Sequence, residues 1–264
     1  MTDVHLDDLN IHVVCILFVK MFISFEYSRT ATMNTTLASA DTLERASQPI
    51  GQIAVALPGS TAVFRRLKLD FCCGGQIALQ QACDNKGLDV DAVLAELAQL
   101  DRPDAPVVPQ APAEMIDHIL TRYHAVHREQ LPELIRMARR VEAVHREHPD
   151  VPKGLAEHLE AIETEMLEHM AKEETILFPM LKAGGRGMAV HPIGVMREEH
   201  TSHGEQLERL MALTHDATPP PGACNTWRAL YAGIDQFADD LIAHIHLENN
   251  QLFPQFEPAR SSCC

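Results

Sequence analysis

Two stretches of this chain share the pattern His-x3-Glu-x3-Leu-Phe-Pro, one from His169 to Pro179 and one from His244 to Pro254. Two others share His-x2-His-x-Glu-Gln-Leu, from His124 to Leu131 and from His200 to Leu207. The stretch from His124 to His169 is one residue longer than that from His200 to His244, so a helix pair has been duplicated. Residues i and i+4 share a helical face, so His169/Glu173 and His244/Glu248 each set an imidazole beside a carboxylate. That donor set suits iron, manganese or zinc, and the absence of cysteine from it argues against a zinc finger or an iron–sulfur cluster. Two carboxylates can each span two metals. Four imidazoles then supply two terminal ligands per metal, leaving positions for an oxo or hydroxo bridge and for open coordination. The candidate ligands are therefore His124, His169, Glu173, His200, His244 and Glu248, holding two iron ions, with manganese the second choice. A lone helical His–Glu pair is ordinarily a surface hydrogen bond. Here the pair recurs with the same Leu-Phe-Pro flank and with a partner histidine, which favours metal.

Four long helices must position these residues. Periodic apolar spacing predicts them over about 113–147, 153–182, 192–213 and 226–250, separated by His148-Pro-Asp-Val-Pro, Gly184-Gly-Arg-Gly and Thr218-Pro-Pro-Pro-Gly. Short loops force antiparallel neighbours, giving an up-down-up-down four-helix bundle. Residues equidistant from a turn lie level. The midpoint of Glu173 and His200 falls inside Gly184–Gly187, and that of His200 and His244 falls on Gly222. The four histidines and two glutamates therefore share roughly one layer. Ferritin-type bundles use more carboxylate and a Glu-x-x-His spacing, so the histidine-rich set points to a hemerythrin-like bundle. Pro132 should kink the first helix. His145 lies too far along its helix to join the layer, and His246 faces away from it. Phe178 and Phe253 read as core packing. His127 and His203, one turn from the ligands, read equally as partners of the ligands, alternative ligands, or solvated or core residues.

The rest of the chain sets limits. A net charge of −15 disfavours nucleic-acid binding, and 46% hydrophobic residues disfavour wholesale disorder. Seven cysteines, two pairs of them adjacent, do not make a secreted disulfide framework, and a reducing cytoplasm is the simpler expectation. The apolar run 11–25 is too short to span a membrane, and the aspartates before it do not suit a signal peptide. Residues 1–46 are expected to be an extension outside the fold, with Met33 as the true start. A small helical module follows over 47–100: helix-like spacing over 49–67, Phe71-Cys72-Cys73-Gly74-Gly75, a short helix near 76–82, and a helix capped by Asp89. The Pro-rich 101–112 reads as a linker, 113–257 as the bundle and 258–264 as a tail carrying Cys263 and Cys264. The fold class is all-α.

The chain resembles the repair of iron centres proteins, the YtfE/ScdA family. The bundle carries the resemblance in Tyr123-His124, Arg128-Glu-Gln-Leu-Pro-Glu-Leu, Val151-Pro-Lys-Gly, Lys172-Glu-Glu, Ile176-Leu-Phe-Pro-Met, Glu199-His200 and Leu247-Glu-Asn-Asn; the small module carries it in Phe71-Cys-Cys-Gly-Gly. It covers about 47–257. It implies a cytoplasmic di-iron protein, often a homodimer, that restores iron–sulfur clusters damaged by nitric oxide or oxidants, with damaged iron–sulfur proteins as clients. It places the six candidate ligands on the iron ligands, and Glu165 and Glu199 on acidic positions of a polar channel. Cys72 and Cys73 are expected to contact a partner, bind a transferred metal or form a redox pair; a plain tight turn is the alternative. Rival functions are a di-iron enzyme reducing nitric oxide or peroxide, and a hemerythrin-like binder or sensor of dioxygen or nitric oxide. Only four well-supported histidines, and no output domain, disfavour the second rival.

Overall fold

Helix formers fill the chain between Gly, Pro and Asp punctuation, and the backbone follows that script. The computed structural model describes residues 44–57, 59–100, 110–185 and 187–258. The expectations for residues 1–43 (Met33 included), for most of the linker (101–109) and for the tail (259–264) lie outside the described residues. Residues 44–48 belong to a first unit; residues 49–258 are the described part of a second.

In the second unit, four short helices come first: α1 (Ile50–Ala56), α2 (Ser60–Arg66), α3 (Leu79–Lys86) and α4 (Val90–Ala98). The single helical stretch expected over 49–67 is broken, because Gly59 takes φ 88°, a left-handed turn between α1 and α2. The helix expected near 76–82 lies later in the chain and closes on Gly87 at φ 66°. The Asp89 cap forms as read: its Oδ1 accepts the Asp91 N–H at 3.0 Å.

The bundle follows. Helix α5 runs Pro112–Ile119, through a π turn at Leu120–His124, then Ala125–Val144. Helix α6 runs Leu155–Lys172, a π turn Glu173–Leu177, then Phe178–Lys182. Helix α7 is Val190–Leu213, and α8 is Asn225–Leu247 with a π turn Glu248–Leu252 and a last 3₁₀ turn Phe253–Gln255. Each helix packs beside its sequence neighbours, and α8 closes against α5, so the expected antiparallel bundle forms. Helix α5 continues through Pro132 without a break; its irregularity comes earlier, at the π turn. No strand occurs among the described residues, and none of their helices is long and apolar enough to cross a membrane.

The core is in two parts. A larger cluster runs from Leu131 on α5 through Leu159, Leu210 and Trp227 to Ile245. A smaller one joins Met115, Phe178, Ile193, Leu252 and Phe253. Phe178 and Phe253 are thus core residues, as read. Between the two lies a layer of buried polar side chains.

Candidate metal centre

The π turns shape that layer. In α6 and α8 the wide turn opens on the glutamate of the repeat, with the N–H of Phe178 reaching the Glu173 carbonyl and that of Phe253 the Glu248 carbonyl. Pro179 and Pro254 follow at once. A proline has no N–H and its ring crowds the carbonyl four residues back, so a wider turn relieves what an α-helix would strain. The Glu-x3-Leu-Phe-Pro half of the repeat is thus a recipe for a π turn with a carboxylate at its head. The third π turn ends on His124 without a proline.

Six side chains meet in the layer. His124, Glu173, His244 and Glu248 form one group whose donor atoms all lie within 4.8 Å of one another; His169, Glu173, His200 and Glu248 form a second. Both groups contain both glutamates. Glu173 Oε2 lies 3.3 Å from His124 Nε2 and 3.5 Å from His169 Nε2. Glu248 turns Oε2 to His200 Nε2 at 3.1 Å and Oε1 to His244 Nε2 at 3.2 Å. Each carboxylate thus spans the two halves, as two bridging ligands would. Neither is exposed at all.

A cation suits this donor set. Nδ1 of His124 donates to Glu174 Oε1 at 2.7 Å, that of His169 to Glu199 Oε2 at 2.8 Å, and that of His200 to Asn249 Oδ1 at 3.0 Å. With the proton held outward on Nδ1, the Nε2 lone pair points inward. Yet His124 and His244 bring their Nε2 atoms to 3.2 Å, as do His169 and His200. Both oxygens of Glu173 and Oε2 of Glu248 are buried without a hydrogen-bond donor among the described residues. Burying such acceptors unpaired costs several kcal/mol each, roughly, and a shared cation removes that cost. Burial, then the charge of Glu248, pushes Glu173 well above the usual carboxylate range. Burial works the same way on Glu248, but His244 and His200 hold it well below. Burial, then the neighbouring His244, lowers His124 to about 4; burial, then His200, also lowers His169. Imidazoles kept neutral are imidazoles kept as ligands.

Comparison with known proteins agrees with the geometry. Residues 115–256 match the hemerythrin HHE cation binding domain, and residues 46–101 match the ScdA_N domain, described as of unknown function. A protein of Citrobacter koseri named iron–sulfur cluster repair protein YtfE is 52% identical over 210 residues, covering 79% of this chain and 96% of the relative. Proteins of the same name from Escherichia coli O1:K1 and Escherichia fergusonii are 51% identical over the same shares. The chain belongs to the YtfE/ScdA family. With the hemerythrin domain comes a non-haem iron site, and the two donor groups are where its histidines and glutamates could hold metal.

The other expected residues fall in different places. Glu199 lies beside the layer, sharing its carboxylate between His169 and Lys172. Glu165 is exposed, bonds Gln206, and belongs to neither donor group. His127 and His203 are buried one turn away, outside both groups; burial, then His244 and His200 respectively, lowers them to about 3 and about 4. His145 sits far off, against Cys224 and Trp227. His246 faces the small helices, its ring edge-on to Phe71 at 5.2 Å.

Cys72 and Cys73 are free thiols with their sulfurs 3.7 Å apart. The Asp70 carboxylate accepts the N–H groups of Cys72, Cys73 and Gly74, which folds the loop. A hydrogen bond to Cys73, then burial, raises the Cys72 thiol well above its usual value. Asp70, Cys72 and Cys73 form a third, more exposed donor group. The loop lies against the centre: Asn249 Nδ2 donates to the Cys72 carbonyl at 3.3 Å, and Cys73 Sγ lies 3.6 Å from the His200 carbonyl oxygen. Sequence reading singled out neither Glu174 nor Asn249 for a role. Each directly follows the glutamate of its repeat, and that matched position was the available signal.

Proposed function

We propose that the chain repairs iron–sulfur clusters damaged by nitrosative and oxidative stress, by supplying iron from a two-iron centre. His124 and His244 would hold one iron and His169 and His200 the other, with Glu173 and Glu248 belonging to both donor groups. The observation that carries this reading is the pair of donor groups sharing both glutamates in one buried layer. The name carried by relatives that this chain matches over 96% of their length supports repair over the two rival functions. When bound, the irons supply Lewis-acid and redox chemistry and a releasable cation. The protein's part is to keep the imidazoles of His124 and His169 neutral by burial, to fix three of the four rings through Glu174, Glu199 and Asn249, and to exclude water with the two apolar clusters. Histidine and carboxylate hold iron less exclusively than a thiolate cage, which suits a donor.

Two modules serve this reading, a ScdA-type domain over 47–100 and the iron bundle over 113–257, with the family matches at 46–101 and 115–256 in support. Damaged iron–sulfur proteins are the clients, in the cytoplasm, and the working form is a homodimer, which sedimentation would check. The test of function is metal analysis followed by transfer. Protein purified without added metal should carry about two irons per chain, absent from the Glu173→Ala/Glu248→Ala double variant. The loaded protein should restore a cluster in an apo acceptor while losing iron. Sustained turnover of nitric oxide without iron loss would replace donor by catalyst.

A further inference from the structure

The duplication relating the two halves is broken at the residues behind the metal-facing histidines. In the half made by His169 and His200, both rings are fixed from outside, by Glu199 at 2.8 Å and Asn249 at 3.0 Å. In the half made by His124 and His244, only His124 is fixed, by Glu174 at 2.7 Å. Nδ1 of His244 is buried with no hydrogen-bond partner among the described residues, and the ring is held by stacking on Tyr123 at 5.2 Å. Tyr123 precedes His124 as Glu199 precedes His200, so an aromatic ring occupies on one side the place of a carboxylate on the other. A hydrogen bond behind a ligating imidazole fixes its tautomer and raises its basicity, and losing one typically costs about 10–100-fold in metal affinity.

Access differs in the same sense. Over the second half lies the Phe71–Gly74 loop. Asn249, which is 2% exposed, accepts from His200 and donates to the Cys72 carbonyl, while Asn250 Nδ2 donates to the Phe71 carbonyl at 3.3 Å. Beside the first half a cleft of about 410 Å³ opens, lined by Ile116, Leu120, Glu174, Phe178, Pro179 and Lys182. Two of these touch His124: Glu174 through its hydrogen bond and Phe178 by stacking at 5.7 Å. The cleft thus ends on a carboxylate bonded directly to a ligand; the cleft, not the exposure of the carboxylate, sets this half apart, because Glu199 behind His169 is 26% exposed against 30% for Glu174.

We infer that the two metal positions are unequal: the iron held by His124 and His244 is released first, past Glu174, while Asn249 and the Cys72–Cys73 loop retain the one held by His169 and His200. This rests on the two-iron reading above. It makes Asn249 a positioning residue through which the small module acts on the centre.

The test is iron loss from the full-length, iron-loaded protein to a colorimetric ferrous chelator under reducing, anaerobic conditions, with helicity followed by circular dichroism. Wild type should lose iron in two phases of about one iron each, separated roughly 10-fold or more. Glu174→Gln should speed the fast phase alone. Asn249→Leu should speed the slow phase alone, and Asn249→Asp, which keeps the acceptor for His200 but loses the donor to the Cys72 carbonyl, should restore it only in part. If Asn249→Leu does not fold, the Glu174→Gln and Asn249→Asp results decide. Two irons leaving wild type in one phase, or Glu174→Gln acting on the slow phase, would overturn this inference and leave the two-iron reading standing. A starting content near one iron or none would overturn both.

Discussion

Replacing His246 with leucine should make the protein less sensitive to acid. His246 is 5% exposed and packs edge-on to Phe71, the residue that opens the Cys72–Cys73 loop. Its Nδ1 lies 3.0 Å from Asn250 Nδ2, and its Nε2 is buried without a partner among the described residues. Burial lowers it to about 4 from an ordinary value of 6.5. Between these values the unfolded chain binds a proton at this site and the folded chain does not, so stability falls as pH falls from 6.5 towards 4. At about 1.4 kcal/mol per unit, the loss from this one ring is about 2 kcal/mol at pH 5 and about 3 kcal/mol by pH 4. Leucine has similar bulk and no proton to bind. The assay is denaturant unfolding of iron-loaded wild type and His246→Leu at pH 7 and pH 5, comparing the change in each. Every other titrating group is the same in both proteins, so the difference between the two isolates His246. Parallel losses of stability in wild type and variant would refute the reasoning.

Other outcomes follow from the same contacts. Glu165→Ala should leave iron content unchanged, because that carboxylate is exposed and outside both donor groups, whereas Glu199→Ala should weaken iron binding about 10–100-fold by freeing His169 Nδ1; competition with a chelator of known affinity measures both. Gly75→Ala should destabilise the protein by about 1–3 kcal/mol in denaturant unfolding, since its Cβ would collide with the Phe71 carbonyl oxygen and lie 3.0 Å from Gly51 Cα, both backbone atoms. Removing iron should lower the melting temperature of wild type and leave that of the Glu173→Ala/Glu248→Ala variant unmoved, because only a protein that binds metal can be stabilised by it.

The local patterns were legible because a helix puts residues four apart on one face whatever surrounds it. His169/Glu173 and His244/Glu248 needed no tertiary information, and neither did the bundle, whose four periodic segments and short loops admit few arrangements. The small module was read less well. Its first helix breaks at Gly59, and the helix expected near 76–82 lies over Leu79–Lys86, where a left-handed Gly87 rather than apolar spacing sets its end. The π turns escaped as well, although Pro179 and Pro254 stood in the repeat. A proline in a helix can kink it, end it or widen it, and packing selects among the three.

By itself, then, the sequence determined which side chains were paired along each helix and that they recurred, since those relations depend only on helical pitch. The depth of the layer followed from loop positions. What only the tertiary structure decided was everything that crosses between helices: Glu174 behind His124, Asn249 behind His200, Glu199 rather than Glu165 beside the centre, and the Cys72–Cys73 loop set against α8. Those contacts depend on how each helix is rotated about its own axis. The widened turns at Glu173 and Glu248 alter that rotation by one residue, an offset that apolar periodicity does not record.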